Sequence, residues 1–234
     1  QGIIVVKYTP KATFEHSAYR WFANQNSSTV GAVLTGTQDA STTLSTAGDA
    51  FRLRLLLHVT NNSSTPGVDT LKLQYASTTP GNCGPSFYGN SAFVDVATAS
   101  GEIRYNGNAS PADGDLIGAT STDPTHGGDT IVNQTYEEQN NFTATSTIGV
   151  GRDGRWDFSL IDFSAPAATT YCFQVVKSDG NKITTSTLSK IPEIKTAAAA
   201  NSPPSVSSVS LNHGNAITLT ANATTSFDIN YTIT

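Results

Sequence analysis

From residue 51 to residue 59 the chain reads Phe-Arg-Leu-Arg-Leu-Leu-Leu-His-Val. Successive side chains of a strand point to opposite faces, so Phe51, Leu53, Leu55, Leu57 and Val59 share one side, with Arg52, Arg54 and His58 on the other. The pattern predicts a half-buried strand. Residues 70–75 repeat it with Leu71, Leu73 and Tyr75 inward, and the polar stretch 61–69 predicts that the two strands form a long hairpin. Residues 155–160 place Trp156, Phe158 and Leu160 inward. Residues 170–176 do the same with Tyr171, Phe173 and Val175, leaving Cys172 on the opposite face. These four strands are the predicted core.

Weaker alternation marks strands at 18–22, 92–96, 102–105 and 182–188, the last reached through the Asp179-Gly180 turn. Many short strands with turn signals between them predict an all-β, antiparallel sandwich of the immunoglobulin or fibronectin III kind. The module is expected over residues 13–195. It exceeds the roughly 100 residues of a plain sandwich, and the surplus is a polar insertion at 106–149 holding Asp113, Asp115, Asp123, Asp129, Glu137 and Glu138. Residues 196–204, small and then Pro-Pro, read as a linker. Residues 205–234 read as a partial second β unit, with Phe227, Ile229, Tyr231 and Ile233 on one face, and residues 1–12 as an extended strand built on Ile3, Ile4, Val5 and Val6. Too few strands are present there to bury these side chains within one unit. Both ends are therefore expected to pair with other strands.

Composition narrows the class. The 234 residues are 37% hydrophobic and only 13% charged, against a usual charged share of about 25%. Ser and Thr together make up about a quarter of the chain, as suits strands and polar loops. No apolar run approaches the roughly 20 residues a membrane helix needs. Thirteen Lys and Arg against 18 Asp and Glu give a net charge of -5 without a basic block, which argues against nucleic acid as a partner. Gln1 and the absence of Met fit a processed chain. In an oxidising, extracellular setting Cys83 and Cys172 are expected to form one disulfide, with two free buried thiols as the alternative.

Several segments resemble repetitive modules of large secreted surface proteins encoded by small uncultured bacteria. They are Ala18-Tyr-Arg-Trp-Phe-Ala-Asn24, Phe51-Arg-Leu-Arg-Leu-Leu-Leu-His58, Asp123-Pro-Thr-His-Gly-Gly-Asp129, Thr135-Tyr-Glu-Glu-Gln-Asn140, Gly154-Arg-Trp-Asp157 and Tyr171-Cys-Phe-Gln-Val-Val-Lys-Ser-Asp-Gly180. The resemblance spans residues 18–194 and implies a secreted, modular β protein at the cell surface. It carries no activity and no catalytic residue.

The chemistry-bearing motifs point away from an enzyme. Gly149-x-Gly151-x-x-Gly154 has dinucleotide-fingerprint spacing, but a strand follows it where a helix N-terminus is needed to hold the pyrophosphate. His16, His58, His126 and His213 are scattered singly, with no HExxH spacing and no Gly-x-Ser-x-Gly elbow. Glu137 and Glu138 are adjacent, so on a strand they face opposite ways and cannot work as a glycosidase pair. Asp113, Asp115, Asp123 and Asp129 are the candidate metal ligands, for a structural calcium, because a hard cation takes several carboxylate and carbonyl oxygens. Turn-forming aspartates are the plainer reading. Eight Asn-x-Ser/Thr triplets begin at Asn26, Asn61, Asn62, Asn108, Asn133, Asn141, Asn222 and Asn230; they matter only where glycosylation occurs. The expected function is a structural subunit of an extracellular fibre or surface layer whose partners are copies of itself, joined head to tail by strand contacts. The alternative is an adhesin or carbohydrate-binding module that engages cell-surface glycans through exposed Tyr88, Tyr105 and Tyr136.

Overall fold

The computed structural model describes residues 11–78, 83, 84, 87, 92–183 and 190–199. The assembly residues Ile3 to Val6 and Phe227 to Ile233, the unit expected at 205–234, His213 and Tyr88 lie outside the described residues, as do positions 184–188 of the strand expected at 182–188.

The described chain is all-β. Its strands are β1 (Thr13–Ala23), β2 (Thr42–Thr43), β3 (Ala50–Asn61), β4 (Thr70–Thr78), β5 (Val94–Asp95), β6 (Ile103–Tyr105), β7 (Ile131–Glu137), β8 (Phe142–Thr143), β9 (Asp153–Asp162), β10 (Thr170–Lys177) and β11 (Glu193–Lys195). Two sheets form a sandwich. One runs β1-β3-β9-β6, with β7 also on β9; the other runs β2-β11-β10-β4-β5, with β8 also on β4. Strand β3 takes one edge of β9 along nearly its whole length, so the opposite edge is divided between β7 and β6. Strand β4 likewise has β10 on one edge and divides the other between β8 and β5. Pairing is mostly antiparallel, but β7 runs parallel to β9 and β11 parallel to β2.

Trp156, Phe158, Leu53, Leu55, Tyr171 and Phe173 all lie in the apolar interior between the sheets, as their alternation predicts. Each large side chain closed there contributes on the order of 1.5–3 kcal/mol through lost apolar surface. Trp21 packs edge-on against Phe51 and Phe173, with centroids 5.7 and 5.5 Å away. The predicted hairpin between residues 51–59 and 70–75 does not form: β3 pairs with β1 and β9, whereas β4 pairs with β10 in the other sheet. The connection at 62–69 therefore crosses the sandwich. Both strands must put an apolar face on the same core, and facing sheets satisfy that as well as adjacent strands do.

Cys83 and Cys172 are disulfide-bonded, with Cα atoms 5.4 Å apart and a sequence separation of 89 positions. A loop of that order restricts the unfolded chain by about 4–5 kcal/mol in the chain-entropy picture. The packed module also outruns the expected boundary at 195. Thr196 and Ala197 are buried; Thr196 Oγ1 donates to the Pro166 carbonyl at 2.7 Å and accepts the Thr169 amide at 2.9 Å. The linker thus starts no earlier than residue 198.

The largest departure from the sequence reading concerns the polar face of β3. Arg52 and Arg54 were expected in water, yet both are fully buried. They lie beneath a roof formed by segments around residues 25–36 and by the insertion after residue 106, whose own strand β7 joins the sheet. No helix among the described residues is long and apolar enough to cross a membrane.

Candidate metal centre

Strands β3 and β9 pair in register, so their outward rows lie side by side: Arg54 opposite Asp157, and His58 opposite Asp153. Directly opposed side chains sit close enough to interact. At the centre of the row, Arg52 binds Asp157 through a fork, Nε to Oδ1 and Nη2 to Oδ2, both at 2.7 Å. Arg54 Nε reaches the same Asp157 Oδ2 at 2.8 Å, and its Nη1 bonds Asp123 of the roof. Asp123 also holds Arg155 at 2.7 Å. Three guanidiniums face two carboxylates, and the surplus donors go to roof carbonyls: Arg52 Nη1 to Gln25 at 3.2 Å, Arg54 Nη2 to Ser28 at 3.1 Å. Tyr136 lays its ring against Arg52, 4.5 Å from guanidinium carbon to centroid. Burial lowers the Arg155 pKa, against the pull of Asp123.

The end of the row is built differently. His126 and Asp129 flank Gly127 and Gly128, whose φ values of 51° and 92° suit the left-handed central positions of a type I′ turn. The turn closes with the Asp129 amide donating to the His126 carbonyl at 2.7 Å. It leads directly into β7, where Ile131 pairs with Asp153. The turn is thereby set over His58 and Asp153. His126 Nδ1 lies 3.2 Å from Oδ2 of both Asp129 and Asp153; His58 Nδ1 lies 3.2 Å from Asp129 Oδ2 and 3.5 Å from Asp153 Oδ2. The two rings meet edge to face at 5.0 Å. All four donor atoms fall within 4.8 Å of one another. Ser17 Oγ donates to the other oxygen of Asp153 at 2.5 Å. Asp153 is closed to solvent and His58 nearly so, at 15%, whereas Asp129 and His126 are 31% and 37% exposed. The cluster is reached from one side only.

This arrangement corrects two expectations. The histidines are not all single, because His58 and His126 converge although 68 positions apart. Nor do the four aspartates form one site. Asp115 accepts the Ala112 amide in a local turn and Asp113 accepts the Glu138 amide, both at 2.8 Å; Asp123 belongs to the arginines; only Asp129 joins the histidines. Asp153, which completes the group, carried one readable signal: it opens the outward row Asp153, Arg155, Asp157 that faces Arg52, Arg54 and His58.

Ser17, Asp153 and the histidines do not make a nucleophile triad, since the serine bonds the carboxylate instead of an imidazole that would take its proton. Glu137 and Glu138 part company as predicted. Glu138 accepts from the Asn108 amide and the Tyr136 hydroxyl at 2.9 and 3.0 Å, while Glu137 is buried and burial pushes its pKa up to about 8. Tyr105 and Tyr136, expected as exposed rings that engage a glycan, are both buried: Tyr105 lies in the apolar interior between the sheets, and the Tyr136 ring lies against Arg52 under the roof. No protein-family model, curated protein or solved structure matches this chain.

Proposed function

We propose that the chain is a structural subunit of an extracellular fibre or surface layer, assembling with copies of itself through strand contacts. One observation carries the reading: the densest group of charged side chains, Arg52, Arg54, Asp123, Arg155 and Asp157, is paired internally and closed to water. Charges arranged this way fasten the roof to the sheet and offer nothing to a substrate. The Cys83–Cys172 bond suits an oxidising compartment. The resemblance to secreted surface modules points the same way. In this reading the assembly contacts come from the alternating apolar residues Ile3 to Val6 and Phe227 to Ile233, as the sequence pattern suggests.

Light scattering and negative-stain imaging of the purified chain over rising concentration test this. Elongation that is lost on deleting residues 1–9 is the expected result. A chain that stays monomeric at every concentration contradicts it, as does one whose association is driven only by added glycans.

A further inference from the structure

We propose that His58, His126, Asp129 and Asp153 bind a single divalent transition metal of the zinc class, which clips the His126–Asp129 turn to the edge of β3 and β9. Distance is the first argument. Zinc bonds imidazole nitrogen and carboxylate oxygen at about 2.0–2.2 Å, so the edges of a tetrahedron of such ligands measure roughly 3.3–3.5 Å. The four nitrogen–oxygen separations here are 3.2, 3.2, 3.2 and 3.5 Å. A charge-assisted N–H···O bond would settle nearer 2.7–2.9 Å. Proton count is the second argument: a neutral imidazole has one N–H, yet each Nδ1 stands between the same two carboxylate oxygens, and each oxygen between the same two nitrogens. One cation at the shared centre satisfies all four contacts together.

The surroundings fit that role. Asp153 is wholly buried, and among the described residues the two histidines are the only basic side chains within ion-pairing distance of it. Its second oxygen is held by Ser17, the kind of outer hydrogen bond that orients a ligating carboxylate. Four protein ligands leave no open position, which marks a structural metal and not a catalytic one. Two nitrogen donors also select against calcium, which takes six to eight oxygens.

The test titrates the full chain, stripped with a chelator, with zinc, cobalt(II) and calcium in turn. The expected result is one equivalent of zinc per chain with a raised thermal midpoint, the intense visible absorption of four-coordinate cobalt, and no response to calcium. His126→Ala and Asp129→Asn lie on the exposed turn and should unfold like the chelated parent while losing zinc affinity by more than about 100-fold; Ser17→Ala should lose roughly 10–100-fold, as outer partners do. Failure of the parent to take up zinc or cobalt would overturn the proposal. So would uptake undiminished in His126→Ala, or calcium bound as tightly as zinc.

Discussion

On one side of β3, Phe51, Leu53, Leu55 and Leu57 meet the second sheet across an apolar interior; on the other, Arg52 and Arg54 meet Asp157 and the roof, equally closed to water. The same strand therefore serves two interiors of opposite chemistry. The apolar one gains free energy from nearly every side chain placed in it, largely without regard to exact partner. The ionic one recovers its desolvation cost only if each charge finds its partners in correct geometry, so its net contribution to stability is small although its dependence on every member is large. The first interior makes the fold stable; the second decides where the insertion lies.

That contrast is sharpest when one side chain is removed from each. Asp157→Ala leaves Arg52 and Arg54 buried without their shared partner and should cost about 3–5 kcal/mol. Phe173→Ala should cost a similar 3–5 kcal/mol through lost transfer energy and a cavity. The two separate on full replacement: exchanging Arg52, Arg54 and Asp157 together for apolar residues of like volume should restore most of the loss. Equilibrium denaturation of the three variants checks this. A triple variant as unstable as Asp157→Ala would show that the layer contributes net stability.

The difference also explains what could be read in advance. Alternation over residues 51–59, 155–160 and 170–176 reveals which side chains share a face, and the apolar face can only go to a core. It does not reveal whether the polar face is wet. Arg52 and Arg54 look like solvated residues until Asp123, about 70 positions away, is brought over them, and the sequence between holds no periodic signal for that approach. The cluster of His58, His126, Asp129 and Asp153 hid for the same reason: His58 and Asp153 belong to readable rows, but the turn at His126 to Asp129 reaches them only through the parallel pairing of β7, which short-range pattern does not encode.

Acid should weaken the apolar interior by one specific bond. The Val175 amide of β10 donates to His16 Nε2 of β1 at 3.0 Å, tying the two sheets together. Burial lowers the His16 pKa from 6.5 to about 4. With the folded value depressed, its contribution is present above pH 6.5 and is lost as pH falls towards 4. Thermal melts across that window should show His16→Gln less acid-sensitive than the parent. Equal slopes would remove His16 as the cause.

For Glu137, at the end of β7 opposite Phe158, the sign reverses. Glu137 shares a short hydrogen bond with Thr135 and is raised by burial to about 8. A raised value favours the fold below the unfolded pKa, near 4.5, and that advantage disappears as pH rises through 8. Glu137→Gln should flatten the decline in stability between those limits. A variant that declines as steeply as the parent would place the titration elsewhere.

The central claim, that the roof is fastened to the sheet by a dry ionic layer, is tested most directly by a double-mutant cycle across Arg54 and Asp123, one residue from each side. Arg54→Met, Asp123→Asn and the pair together should give a coupling energy above about 1.5 kcal/mol, the range of close desolvated pairs. A coupling below about 1 kcal/mol, as found for solvent-exposed ion pairs, would contradict it.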